Sequence, residues 1–304
     1  MNAITDGTIR VLTWNIEHGG RDTDGSFHRR HLAWDVMAEY RPHLVLRQEL
    51  TGADADGRRP LWEEANRLGL IPFLAPATPE SPNATGVLLD PAVFDVQAEY
   101  HHVTGSWHPI CNPVVKLRGA SKPISLASVH LCSYDPDTRA REARRLLFLA
   151  DQGRSVLLGG DFNSYPHRVQ DETVPLPDWS RVANTGHVER RTIWRGDQRV
   201  SDIEPDRILA GERVLADGRV QPGVLTELGH HAATTLGQEQ ALDATASLWR
   251  TDEGTAQRID RVYATPDIAA ALDRFEVVAD DAVREVSDHA LLVAQFSTTR
   301  LLQA

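Results

Sequence analysis

The sequence predicts an α/β fold in which sheets pack together inside helical layers. Three patterns predict it. A strand–helix–strand succession opens the chain. Four short apolar runs between residues 86 and 131 are separated only by Pro, Gly and Asn breaks, which implies antiparallel pairing there. Asp, Glu, Asn and His stand at the ends of the apolar runs, where sheets of α/β proteins gather their ligands.

Ile9–Asn15 (IRVLTWN) is β-branched and apolar, the first strand. Phe27–Tyr40 is predicted helical, with Leu32, Val36 and Tyr40 on one stripe, Ser26 as N-cap and Pro42 as stop. His43–Gln48 is the second strand, and Arg58–Leu68 the second helix. Gly86–Leu89, Phe94–His101, Val114–Leu117 and Ile124–Leu131 read as strands. Asp135 caps the next helix, and Pro136 suits its first turn. Ala140, Ala143, Leu147 and Ala150 form its expected buried stripe, with Arg141, Arg144 and Arg145 off it. Ser155–Gly159 is strand again. Periodicity weakens over 164–257, where Ala241–Trp249 is read as helical. Arg258–Tyr263 and Ala290–Phe296 are strands, with a helix near Asp267–Leu272 between them. No linker, repeat or charge block divides the chain, so a single domain over 1–304 is expected.

Composition narrows the function classes. With 304 residues, 41% hydrophobic and 25% charged, the chain is neither collagen-like nor low-complexity. Its net charge of −11 offers no general attraction for a polyanion, so a nucleic-acid partner requires a local patch or bound metal. Of the 32 basic residues only Lys116 and Lys122 are lysines; a GC-rich coding bias is the favoured explanation of the skew, and although arginine suits bidentate phosphate contacts, composition does not decide the point. Cys111 and Cys132 have neither zinc nor disulfide spacing, which fits free thiols in a reducing compartment. No basic region followed by an apolar run opens the sequence, and no apolar stretch reaches the roughly 20 residues of a membrane helix. A soluble cytoplasmic protein, with neither a membrane nor an obligate protein partner, is expected. The nucleotide-binding, hydrolase-elbow and zinc-protease motifs GxGxxG, GxxxxGK[ST], GxSxG and HExxH do not occur.

The chemistry sits at the strand ends. Asn15 and Glu17 close the first strand, and Gln48 and Glu49 the second. His130 ends Ile124–Leu131, Asp161 and Asn163 follow VLLGG, Asp260 lies in Arg258–Tyr263, and Asp288 with His289 opens the last strand. Taken singly, each has an ordinary reading as a cap, an Asx turn or a satisfied core histidine. Taken together they form a site. Glu49 with Asn15, Asp161 or Asp288 offers oxygen ligands, which favour Mg²⁺ or Mn²⁺ over zinc. Two histidines beside carboxylates suit proton handling or phosphoryl charge. The reaction class implied is metal-assisted attack of water on a phosphoester.

In this order the motifs Thr13-Trp14-Asn15, Gln48-Glu49, Ser128-Val129-His130-Leu131, Gly160-Asp161-Phe162-Asn163, Arg258-Ile259-Asp260 and Ser287-Asp288-His289 span nearly the whole chain. The sequence resembles the endonuclease/exonuclease/phosphatase superfamily, also called deoxyribonuclease-I-like. The resemblance implies a four-layered α/β sandwich, two mixed β-sheets face to face flanked by helices. It implies that Glu49 binds the divalent metal with Asn15 beside it, and that Asp288 assists the metal or water. Glu17 matches a secondary acidic position. Asp161 would orient or deprotonate the attacking water, and Asn163 would hold that water or a phosphate oxygen. His289 would meet the scissile phosphate with its ring oriented by Asp260, and His130 would lie near the leaving group. The implied partner is a phosphoester, with DNA or RNA as candidates and small or lipid-like phosphoesters as the alternative. Two features depart from the pattern. Arg47 stands where an apolar residue is usual, either to bind substrate phosphate or to face solvent. Residues 164–257 match no subfamily signature; in them Arg190, Arg191, Arg195 and Arg199, with Trp179 and Trp194, suggest a phosphate-tracking, base-stacking surface.

Overall fold

The computed structural model describes residues 7–250 and 254–304. Strands β1 (Thr8–Asn15) and β2 (Leu44–Gln48) are joined through helix α1 (His28–Glu39). Helix α2 (Ala55–Leu68) leads into β3 (Ile71–Ala75) and β4 (Thr85–Leu89). The chain then crosses to a second sheet with β5 (Phe94–His102), β6 (Ile110–Leu117) and β7 (Ile124–His130), and returns through α3 (Pro136–Leu146) to β8 (Ser155–Asp161). The long segment that follows holds α4 (Thr185–Arg191), the hairpin β9 (Thr192–Arg195) and β10 (Gln198–Ser201), and α5 (Glu204–Ala210). It continues through β11 (Arg213–Val214), β12 (Val220–Gln221), β13 (Thr226–Glu227) and α6 (Leu228–Leu236). Strand β14 (Asp260–Ala264) rejoins the second sheet. Then α7 (Pro266–Ala269), β15 (Leu272–Val278), α8 (Asp281–Val286) and β16 (Leu291–Ser297) complete the first sheet, and α9 (Thr298–Leu301) follows.

The two six-stranded sheets share one plan. Their orders are β15-β16-β1-β2-β4-β3 and β13-β14-β8-β7-β6-β5. Each has a single parallel pair at its centre, β1 with β2 and β7 with β8, inside otherwise antiparallel neighbours. A parallel pair requires a long crossover, supplied here by α1 and α3. The carboxyl ends of both pairs reach the same edge of the molecule, so Asn15, Gln48, His130 and Asp161 arrive there together.

The sheets face each other, with β1, β2 and β4 against β6, β7 and β8. Leu46, Val87, Val115, Leu126, Leu157 and Val262 fill the space between them. On the outer face of the first sheet, Trp14, Val45 and Val293 meet Trp34 and Met37 of α1, Ala65 of α2 and Val283 of α8. On the outer face of the second, Val129, Leu158 and Phe162 meet Ala143 and Leu146 of α3 and Leu209 of α5. These are the four layers of the sandwich. Each fully buried Leu or Val contributes roughly 1.5–3 kcal/mol, so the side-chain alternation of the strands fixes both faces.

Several local expectations are corrected. Ser26 does not cap α1: Phe27 holds the N-cap position, and Ser26 Oγ donates to Asp22 instead. The buried face of α1 is Ala33, Trp34, Val36 and Met37, rotated from the expected stripe. In α3 the buried residues are Arg139, Glu142, Ala143 and Leu146, because two charged side chains find partners inside. Strand β3 carries no strand signal in the sequence because Pro72 interrupts it, and the sheet edge tolerates the proline. Strand β6 begins earlier than expected; Asn112 Nδ2 donates to Leu126 O at 2.6 Å beside Pro113, which has no N–H to give. Strand β4 pairs antiparallel with β2 and β3 in the first sheet rather than with β5, which opens the antiparallel run of the second. The helix expected near Asp267–Leu272 is the short α7, with Leu272 opening β15. Ala241–Trp249 is not helical beyond a 3₁₀ turn at Glu239–Leu242; Ala246 bridges to Gln257 instead.

Candidate active site

At the edge where the parallel pairs end lies a cleft of about 320 Å³, lined among others by Glu49, His130, Asp161, Asn163, Asp288 and His289. Asn15 ends β1 and is fully buried. Its Nδ2 donates to Asp161 Oδ2 at 3.2 Å and to Glu49 Oε1 at 3.4 Å, tying the two sheets together. Glu49 follows β2 with φ of 52°, and its Oε2 accepts the His18 N–H at 2.9 Å. His18 and Asn163 also hold left-handed backbone, with φ of 53° and 51°. For residues other than glycine such geometry costs about 1–3 kcal/mol each, and it persists here where three turns aim groups into one cleft.

Asp161 is held from three sides. Its Oδ1 accepts the Asn163 N–H at 2.8 Å, its Oδ2 accepts from Asn15, and His130 Nε2 lies 3.5 Å from Oδ2. Gly160, one residue before it, has φ of 147°, and a Cβ there would stand 1.8 Å from Val129 O. The parallel approach of β8 to β7 therefore requires glycine at this position. The Asn163 amide is itself engaged: Nδ2 donates to Leu131 O at 2.9 Å, and Arg191 Nη1 donates to both Asn163 oxygens. Its clearest link to Asp161 is thus through its backbone, and its side chain is committed to protein rather than standing free for water or phosphate.

His289 stands opposite. Its Nδ1 contacts Asp260 at 3.0 and 2.9 Å, one distance to each carboxylate oxygen. Asp260 pairs in register with Asp161 across β14 and β8, which brings both acids to the same ring. Trp14 Nε1 donates to His289 O at 2.9 Å, and Ser287 Oγ donates to Asn15 O at 2.9 Å, fixing the turn before β16. Burial opposes charge on His289, but Asp260, with Asp161 and Asp288 behind it, pushes its pKa up to about 10. Burial also raises Asp260, against the pull of the imidazolium. A carboxylate facing Nδ1 with both oxygens favours the imidazolium–carboxylate form of the pair. His130 behaves oppositely: burial first, then His289 and Arg191, lowers it to about 3, so it is neutral.

Some cleft residues carry no sequence signature. His108 stacks on His130 with centroids 4.0 Å apart, and Ser81 Oγ lies 2.5 Å from its Nδ1. Arg250 pairs with Asp288 at 2.8 Å and also with Glu17, while Arg29 lies 3.8 Å from Glu17. Glu17 and Asp288 therefore line the cleft as partners of arginine rather than as free acids. Arg47 is a correction. Side chains alternate along β2, so Gln48 faces Ser128 between the sheets while Arg47 turns outward. There it pairs with Glu64 at 2.7 Å, fully buried, and does not line the cleft. The arginine-rich segment also divides. Only Arg191 of the four lines the cleft; Arg195 pairs with Glu204 and Arg199 with Glu189. Trp179 is half-buried, its Nε1 donating to Ser201 Oγ, and Trp194 alone is widely exposed.

The donor set suits a hard cation. Asn15 Oδ1 is buried with no hydrogen-bond partner. Burial raises the Glu49 pKa, and no arginine or lysine among the described residues forms an ion pair with it. An orphan amide oxygen beside a carboxylate whose burial disfavours its charge is what a divalent ion would satisfy. One atom each of Asp161, Asp260 and His289 also lie within 4.8 Å of one another, a second grouping able to hold a metal. Here, however, His289 Nδ1 already faces Asp260.

A profile of the endonuclease/exonuclease/phosphatase family matches residues 12–289. The chain belongs to this family. Its members are metal-dependent phosphoester hydrolases, and this protein is a phosphoester hydrolase of that class. A search of curated protein sequences finds no match. Among solved structures, the fold is similar to TDP2 from D. rerio complexed with a single-strand DNA product, with 17% identity, 96% of this chain and 99% of that chain covered, and a TM-score of 0.60. It is also similar to an endonuclease/exonuclease/phosphatase from Bacteroides vulgatus, with 12% identity, coverage of 95% and 98%, and a TM-score of 0.62. ANGEL2, a 2′,3′-cyclic phosphatase in complex with adenosine-2′,3′-vanadate, shares 16% identity over 95% of each chain, with a TM-score of 0.59.

Proposed function

We propose that this protein is a phosphodiesterase acting on nucleotide phosphodiesters, with Mg²⁺ or Mn²⁺ as its ion. The observation that carries the reading is the opposition, in one cleft, of a fixed carboxylate and a carboxylate-paired imidazolium. Asp161, pinned by Asn15 and the Asn163 N–H, aligns the attacking water and accepts its proton. His289 keeps its charge through Asp260 and has Nε2 as its remaining donor for the phosphoryl oxygens. His130, neutral and stacked on His108, stands 3.5 Å from Asp161, where it would meet the leaving oxygen. Glu49 and Asn15 Oδ1 would hold the divalent ion, which would supply positive charge to polarise the phosphate. The nucleotide preference is supported by the DNA product and the adenosine vanadate bound by two proteins of similar fold. The net charge of −11 and the self-neutralised arginines favour short or single strands over long duplex.

A panel of oligonucleotides, a chromogenic diester and phosphomonoesters, run with the wild type beside Asp161→Ala, tests this. Oligonucleotide cleavage is expected, abolished by EDTA, restored by Mg²⁺ or Mn²⁺, and reduced by several orders of magnitude in the variant. Activity that persists in EDTA, or a wild-type rate in Asp161→Ala, would contradict it. Hydrolysis of small phosphoesters alone would shift the substrate class.

A further inference from the structure

A run of rings leads from the reacting acids to the surface. His130, 3.5 Å from Asp161, stacks on His108 at 4.0 Å between centroids. His108 meets Trp107 edge-on at 6.4 Å, and Trp107 meets Tyr134 edge-on at 4.6 Å. His108 and Ser133 line the catalytic cleft. Their chain neighbours Trp107 and Tyr134 line a second groove of about 730 Å³ next to it, with Pro79, Thr138 and Arg141. Tyr134 is 44% exposed, an aromatic face left open to solvent in a wall that is otherwise held firmly.

The firmness has a specific cause. Glu142 of α3 is buried, and it accepts the Trp107 N–H on Oε1 at 2.6 Å and the Cys132 N–H on Oε2 at 2.8 Å. One carboxylate thus clamps the loop before β6 to the loop after β7. Asp135 caps α3 by accepting the Thr138 N–H at 3.0 Å, which fixes the residue beside Tyr134. A preorganised aromatic face costs little entropy on binding. Above it, Arg141 donates to Thr138 Oγ1 at 2.6 Å with most of its side chain in water, placing a cation along the groove.

We propose that this groove is a base-stacking subsite: Tyr134, backed by Trp107, receives the nucleobase attached to the scissile phosphate, and Arg141 meets the following phosphate. The inference rests on the nucleotide phosphodiesterase reading and adds where the base goes. Stacking is indifferent to base identity, so the subsite selects nucleotides over plain diesters without choosing a sequence. Arg141, a single cation already near Asp135, contributes less than the ring.

The test compares an oligonucleotide with its analogue lacking the base beside the cleavage site. In the wild type, loss of the base should raise KM roughly ten- to a hundredfold with kcat within about twofold, the range of one stacked base. Tyr134→Ala should raise KM on the intact oligonucleotide to the same extent, add nothing on the abasic one, and be rescued by Tyr134→Phe. A residue that merely supports the fold would lower kcat on both substrates alike. The subsite is overturned if the abasic analogue keeps the wild-type KM, a result that needs no variant. It is also overturned if Tyr134→Ala, with an unchanged thermal midpoint, keeps the wild-type KM. If the wild type cleaves no oligonucleotide at all, the nucleotide reading falls and the subsite with it, whereas cleavage indifferent to the base removes the subsite alone.

Discussion

His289 keeps its proton into the alkaline range because a carboxylate reaches its Nδ1 with both oxygens while burial works against the charge. Asp260→Asn removes the favourable charge and leaves the burial. The pKa of His289, about 10 in the wild type, should then fall to or below the ordinary 6.5, and the alkaline limb of the kcat profile should move down with it. A pH–rate series, with imidazole titration by NMR, checks this; an unmoved alkaline limb would mean that Asp260 does not control the ring. The sequence made this pair legible because both residues sit in motifs at strand ends, where topology leaves few places for them. Arg250 and His108 carry no site signal in the sequence, and Arg191 stands out only as one of a basic cluster, not as a residue of this cleft. Each sits in a loop or short element, and its partner lies far along the chain: Asn163 for Arg191, Asp288 for Arg250, His130 for His108. Arg47 misled for the opposite reason. It stands two residues before Glu49, but it points outward onto Glu64, opposite to Gln48, while Glu49 leaves the strand through a left-handed turn.

Helix α3 shows what hydrophobic periodicity cannot read. Its buried face contains Arg139 and Glu142, which any apolar count assigns to solvent. Arg139 is fully buried, pairs with Asp202 at 2.9 Å and donates to Cys132 O and Arg190 O, so it ties the weakly patterned segment to the second sheet. Removing one partner leaves a buried charge uncompensated, whereas removing both restores an apolar contact. Arg139→Met should therefore cost about 3–5 kcal/mol in urea unfolding, and Arg139→Met with Asp202→Leu should recover most of it. Equal losses in the single and double variants would show that the pair is not the tie. The strands were far more legible than the helices. Strands such as β1, β2, β8 and β16 are buried along nearly their whole length and read as continuous apolar runs. The faces of α1 and α3 depend on partners that only tertiary structure supplies.

At the scale of the molecule, the question is how a chain of net charge −11 handles a polyanionic substrate. Its field repels nucleic acid, so binding energy has to come from the catalytic ion, from local cations and from stacking. The arginines of 190–199 do not form a continuous basic track, because Arg195 and Arg199 are already paired with Glu204 and Glu189. Arg191 alone of them opens onto the cleft, and there it is occupied with Asn163. Few phosphates can therefore be neutralised at once. Each contact with a single strand contributes a slope of about 0.7 to the dependence of log KM on log salt. With one or two contacts, the slope should lie near 1, and Arg195→Ala or Arg199→Ala should leave it unchanged. Steady-state kinetics on one oligonucleotide across a range of KCl concentrations measures it. A slope of about 4 or more, reduced by either substitution, would require a long phosphate track over those side chains. That would mean the Glu204 and Glu189 pairs open when substrate binds.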